Sequence, residues 1–119
     1  NLAKTNRTCR ISKAITMNVR IFDATLESYI TSLEKHTIAK VVRAIELLEL
    51  FGPKLGMPHT RKIGEVHELR IHGKQEVRIL YAFWKGDIVL LHGFTKKSQK
   101  ISRKELSTAL QKFHTLTGE

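Results

Sequence analysis

The sequence has one cysteine, Cys9, in 119 residues. An internal disulfide is therefore impossible, and a reducing cytoplasm is the expected compartment. Cys9 lies in a polar N-terminal segment away from every motif and is read as incidental. No apolar run approaches the roughly 20 residues of a membrane span. Nor is there a large basic amphipathic helix with a Trp/Phe face, so a membrane partner is not expected. The six histidines show no H-E-x-x-H spacing, and no Cys/His set could hold zinc. P-loop and G-x-S-x-G motifs are missing, and "GPKLG" lacks the spacing of a dinucleotide loop. These absences predict no cofactor and no metal. An enzyme built on this chain would work with Lys, Arg, His, Tyr and Glu.

Acidic residues are also scarce, 11 against 21 Lys plus Arg, for a net charge of +10. Such a chain tends to bind polyanions: nucleic acid, an anionic surface or an acidic protein. The remaining composition, 41% hydrophobic and 27% charged, is that of a globular protein. Its length suits one domain with one real core.

Residues 1–16 are basic and lack the apolar stretch of a signal peptide. They are read as an upstream extension ahead of a domain spanning 17–119, the alternative being a basic arm that touches phosphate. "MNVRIF" alternates as a strand does. From Thr25 to Phe51 the period becomes helical: Leu26, Tyr29, Ile30 and Leu33, then Ile38, Val41, Val42, Ile45 and Leu48. This predicts a helical hairpin broken near His36–Thr37 and stopped by Gly52 and Pro53. Residues 52–64 are expected to form a loop, carrying Lys54, His59, Arg61 and Lys62. Three strands follow, at 65–71, 76–84 and 87–94, joined by short glycine-bearing links that impose antiparallel pairing. Ser102 and Glu105 form an S-x-x-E capping box ahead of a last helix with the stripe Leu106, Ala109, Leu110 and Phe113. The expected fold is α+β: a small twisted antiparallel sheet, a two-helix hairpin on one face and a C-terminal helix, in the order β-α-α-β-β-β-α.

Alternation along 76–84 puts Val77, Ile79, Tyr81 and Phe83 on a face that should pack under the helices. Arg78 falls on the other face with Leu80, Ala82 and Trp84. Two readings of Arg78 stay open: an ion pair with Glu68 on the neighbouring strand, or convergence with Arg70, Lys96 and Lys97 on a phosphate-binding surface. Lys96, Lys97, Lys100, Arg103 and Lys104 crowd the start of the last helix. Cations there oppose the helix dipole, which is easier to explain if an anion visits.

The stretches "ELR" (68–70), "VRILY" (77–81) and "IVLLHGFTKKSQK" (88–100), with Glu105 and Ala109 in the closing helix, resemble the HigB-like, phage-derived branch of the RelE/ParE toxin superfamily. The "GPKLGMPHTRKIG" loop and the paired helices fit as well, so the resemblance covers about residues 17 to 115. It implies a type II toxin that cleaves mRNA on the translating ribosome. It also implies a cognate antitoxin, HigA-like with a helix-turn-helix, through which alone operator DNA would be met. By the same resemblance Arg70, Arg78, Lys96 and Lys97 are the catalytic candidates, with Lys97 protonating the leaving group. His67, Lys62, Lys100, Arg103 and Lys104 are candidates for contact with RNA or the ribosome. His67 could stack on a base or be a buried strand histidine. Relatives carry lysines in the second strand where this chain has Val66 and Glu68. Some have a tyrosine near the last helix where it has Ser102 and Arg103. The general base is thus left without a residue. A gyrase-directed toxin of the same fold and a non-catalytic basic binding module are the competing functions.

Overall fold

The computed structural model describes residues 16–97 and 100–118. The N-terminal segment read as an extension, Cys9 included, lies outside the described residues apart from Thr16, as do Ser98 and Gln99. The elements are β1 (Val19–Ile21), α1 (Ala24–Thr31), α2 (Lys35–Phe51), β2 (Thr60–Ile63), β3 (Val66–Ile71), β4 (Val77–Trp84), β5 (Asp87–Thr95) and α3 (Arg103–Thr117), with a single 3-10 turn at Gly52–Lys54. The strands form one sheet in the order β1-β5-β4-β3-β2.

The expected α+β architecture is present, with two refinements. The stretch read as a loop contains β2, which pairs antiparallel with β3 from Thr60↔Leu69 to Ile63↔Val66. Its residues, Thr-Arg-Lys-Ile, do not alternate apolar with polar, so pairing reveals it. The strand β1 runs parallel to β5, with Val19↔Ile88 and Ile21↔Leu90. The connection between them runs through the helical hairpin and then β2, β3 and β4, ample for parallel neighbours, whereas β3, β4 and β5 are tied by short links and must be antiparallel. Between β4 and β5, Lys85 and Gly86 take φ of 49° and 82°, the two left-handed residues of a tight hairpin.

The hairpin of helices breaks earlier than its periodicity suggested. The expectation was His36–Thr37, but the turn is at 32–34. Asp23 Oδ1 accepts from Leu26 N to open α1, and Ser32 closes it by donating its hydroxyl to Tyr29 O at 2.6 Å. Thr37 is instead buried in the first turn of α2. Gly52, at φ 49°, ends α2 as expected.

Both faces of the sheet are covered. Leu26, Ile30, Leu33, Val41 and Leu48 of the hairpin pack on Ile79, Tyr81, Leu69 and Leu90. On the opposite face Ala109, Leu106, Leu110 and Phe113 of α3 pack on Leu80, Ala82, Val89 and Leu91. The residues Val77 to Ala82 of β4 are therefore buried without interruption.

One irregularity positions everything at the far end of β5. Leu80 pairs with His92 and Tyr81 with Leu90, so Leu91 is an extra residue with no partner on β4. Alternation resets there. Leu91 joins the core beneath α3, and His92, which would otherwise follow Leu90 toward the hairpin, also turns toward α3.

Candidate active-site cleft

The cleft lies where β5 ends, between α1 and the first turn of α3. Gly93 makes its inner wall possible. A Cβ there would stand 2.9 Å from Leu26 Cδ1 and 2.9 Å from Tyr29 Cδ2, closer than side chains tolerate. With no Cβ in the way, Tyr29 lies over the strand and its hydroxyl meets Thr95 Oγ1 at 2.8 Å. Burial raises the Tyr29 pKa, and the negative charge of Glu105 adds to this against the opposing bond from Thr95. Near neutral pH Tyr29 therefore keeps its proton and is a hydrogen-bond donor.

Past Thr95 the chain stays tied to the sheet for one residue, as Lys96 N donates to Glu76 O at 2.7 Å. Lys96, Lys97 and Lys100 then line the mouth, and Phe94, Ser102 and Glu105 complete a cleft of about 490 Å³. Half of the expected capping box forms as written: Glu105 N donates to Ser102 Oγ at 3.2 Å. The Glu105 carboxylate reaches His92, with Oε1 2.5 Å from Nε2. His92 is in turn stacked on Phe94, at 5.9 Å between ring centroids and 25° between planes. The N-terminus of α3 opens beside the three lysines, so its partial positive charge adds to theirs.

Arg70 and Arg78 do not line this cleft. They stand directly opposite each other on β3 and β4. Two like charges in that register would repel, but Glu68 sits with them. Its Oε1 is 3.8 Å from Arg70 Nε and its Oε2 is 3.7 Å from Arg78 Nε. Glu76 Oε1 adds a contact at 3.3 Å to Arg78 Nη2, and Arg78 Nη1 donates to Val77 O. The Glu76 pKa is lowered overall: burial pushes it up, but bonds from His72, Gly73 N and Arg78 outweigh that. The Arg78 and Glu68 side chains are only 4% and 3% exposed. This is the ion-pair arrangement of the two weighed from sequence. Arg78 still touches the site indirectly, because its partner across β4–β5 is Phe94 of the cleft wall.

The other candidates are dispersed. His67 is stacked on Tyr81 (5.2 Å, 21°) and meets Phe83 edge-on (5.1 Å, 77°), on the hairpin side of the sheet. Burial lowers its pKa, and Lys62, its cross-strand neighbour, lowers it further. Lys62, Arg103 and Lys104 are exposed and outside the cleft lining. Tyr81, on the strand face expected to pack under the helices, is 1% exposed and out of reach as a base. Sequence reasoning missed Tyr29, Thr95 and the His92–Glu105 pair. Gly93 inside a strand was the one available signal of a close approach. Among the described residues, no three His, Cys, Asp or Glu side chains cluster as metal ligands, and no helix is long and apolar enough to cross a membrane.

The five-stranded sheet with a helical hairpin on one face and one helix on the other is a fold seen in a solved toxin structure. A double arginine-to-alanine mutant of E. coli toxin RelE in the free state superposes with a TM-score of 0.60, over 82% of this chain and 97% of that one. The identity is 10%, so the likeness is one of fold. Residues 28–114 match the family described as "Phage derived protein Gp49-like", and the chain belongs to that family. Among curated proteins, none matches this chain.

Proposed function

We propose that this protein is the toxin of a type II toxin–antitoxin pair, of the HigB-like branch, and that it cleaves mRNA on the translating ribosome. The observation that carries the reading is the cleft at the end of β5, where Lys96, Lys97 and Lys100 surround a space lined by Tyr29 and Glu105 on a RelE-type fold. RNA cleavage needs positive charge on the pentacoordinate phosphate, a base for the 2′-OH and an acid for the departing 5′-oxygen. Lys96 and Lys100 supply the charge, and Lys97 protonates the leaving oxygen. Tyr29, held as a donor, adds a neutral hydrogen bond to a phosphate oxygen. Arg70 and Arg78 act from behind, fixing the strand ends that carry Phe94 and the lysines. Lys62, Arg103 and Lys104 supply outlying contacts to ribosomal RNA, while His67 serves packing.

A small cleft open to solvent does not orient RNA by itself, so the ribosome supplies that positioning. A protein that acts on translating ribosomes resides in the cytoplasm. Its antitoxin is a HigA-like helix-turn-helix protein that covers the basic cleft or blocks ribosome entry, and operator DNA is reached through that partner. The test is expression of the chain with and without the antitoxin, together with cleavage assays on naked and ribosome-bound mRNA. Growth arrest relieved by the antitoxin, with cuts only in translated mRNA, is the expected result. Trapped gyrase–DNA complexes would favour a gyrase-directed toxin. A folded protein that neither arrests growth nor cuts RNA would favour a basic binding module.

A further inference from the structure

The lysines account for most of the cleft, but not for the carboxylate among them. Among the described residues, Glu105 is the one acidic side chain in the lining. Its backbone role at the start of α3 is met by the bond from its N–H to Ser102. A carboxylate is not required for that bond. Its side chain is instead fixed by a histidine that the β5 bulge had to turn around to reach it. His92 is 18% exposed and stacked on Phe94, so it holds Oε1 in one orientation. The same two residue types also meet on the surface, where His114 Nε2 lies 3.0 Å from Glu65 Oε1 with the side chains 43% and 58% exposed. The cleft pair differs in burial, in its shorter contact and in facing three cations.

We propose that Glu105 is the general base of this cleft and that His92 is its positioning residue. The proposal rests on the endoribonuclease reading and supplies the group that reading lacks. The substrate is an RNA nucleotide whose 3′-phosphate lies among Lys96, Lys97 and Lys100. The Glu105 carboxylate takes the proton of the adjacent 2′-OH. The 2′-oxygen forms a bond to phosphorus while the bond from phosphorus to O5′ breaks, and O5′ takes a proton from the Lys97 ammonium. The products are a 2′,3′-cyclic phosphate and a 5′-hydroxyl. One proton has entered the protein at Glu105 and one has left it at Lys97, so water-mediated transfer between them restores the starting state. Tyr29 cannot replace Glu105, since it holds its own proton near neutral pH.

The experiment separates chemistry from binding. Single-turnover cleavage of mRNA on programmed ribosomes is measured beside ribosome affinity and thermal unfolding. Glu105→Gln keeps a polar contact to His92 but cannot take up the proton. Its rate should fall by about 10²- to 10⁴-fold at unchanged affinity. Glu105→Asp, with a carboxylate one methylene shorter, should recover part of the rate. Glu65→Gln, at the surface pair, should leave the rate unchanged. His92→Ala should slow cleavage without weakening ribosome binding, and His92→Asn should restore part of the loss. A Glu105→Gln rate within about threefold of wild type would overturn the proposal. So would a loss in Glu105→Gln matched by lost affinity or folding and not recovered by Asp. Wild-type protein that cuts no ribosome-bound mRNA would remove the endoribonuclease reading itself, and this assignment with it.

Discussion

Arg78 and Glu68 lie diagonally across β4 and β3, Nε to Oε2 at 3.7 Å, in a place that water scarcely reaches. The Nε atoms of Arg78 and Arg70 are buried and make no hydrogen bond. A buried pair of this kind contributes little as a pair, but removing one partner strands the other charge. Arg78→Ala is therefore expected to lower stability by about 3–5 kcal/mol. The double change Arg78→Met with Glu68→Leu should cost less than the sum of its parts. Urea unfolding of the single and double variants checks both. A fully stable, inactive Arg78→Ala would instead return the residue to direct catalysis.

Lys96 and Lys97 stand at the cleft, whereas Lys54 and Lys74 are exposed elsewhere. Neutralising either pair changes the net charge equally. The first pair should weaken ribosome binding and flatten its salt dependence by about one to two units of slope. The second should do neither. Titrations against ribosomes across a salt series distinguish the two, and equal losses would mean that the charge acts diffusely.

Gly93→Ala puts a methyl group 2.9 Å from Leu26 Cδ1 and Tyr29 Cδ2. The expected cost is about 1–3 kcal/mol of overpacking. Tyr29 should also shift off Thr95, so cleavage should fall beyond what the stability loss explains. Thermal unfolding together with single-turnover rates at a temperature where the variant stays folded would show it.

His67 gives the fold a pH dependence of known sign. Its pKa in the folded state lies below the ordinary 6.5, because burial and Lys62 disfavour the charged ring. The unfolded chain then binds more protons than the folded one as pH falls through 6.5, and stability declines on acidification from that point. His67→Phe should remove that part of the slope while keeping the packing against Tyr81 and Phe83. Asp23 and Glu76 act in a lower window. Burial raises both pKa values, but hydrogen bonds outweigh it and hold them below 3.8 and 4.5, so their stabilisation is lost only as pH drops through those values. Denaturation midpoints of wild type and His67→Phe between pH 5 and 8 should converge at the alkaline end.

Much of the fold was legible because it rests on repeating patterns. Val77, Ile79, Tyr81 and Phe83 alternate, and they do pack beneath the hairpin. Gly52–Pro53 stops α2 where those residues say it should. Arg78 was legible as an anomaly, though spacing could not choose between its two partners. What escaped depends on exceptions to the patterns. The bulge at Leu91 is one residue that breaks alternation without any Gly or Pro to mark it. Glu105 was recognisable as a helix-start residue, and that sufficient local role concealed its contact with His92, 13 positions away. Tyr29 read as part of an apolar stripe, since only its hydroxyl, at the end of the ring, reaches Thr95.

The bulge in β5 has a consequence for how this protein can change by insertion and deletion. Loops usually absorb changes of length, and strands change by substitution. Between Leu90 and Thr95 the count of residues itself carries information. Losing Leu91 itself would close the bulge and leave His92 on its present face, but losing Gly93 would turn Phe94 to the hairpin side and carry the lysines one step back into the sheet. Every side chain needed could still be present in such a chain. A gap between His92 and Lys96, seen in any related sequence, should therefore mark a copy whose cleft has come apart even where its lysines, histidine and glutamate are all retained.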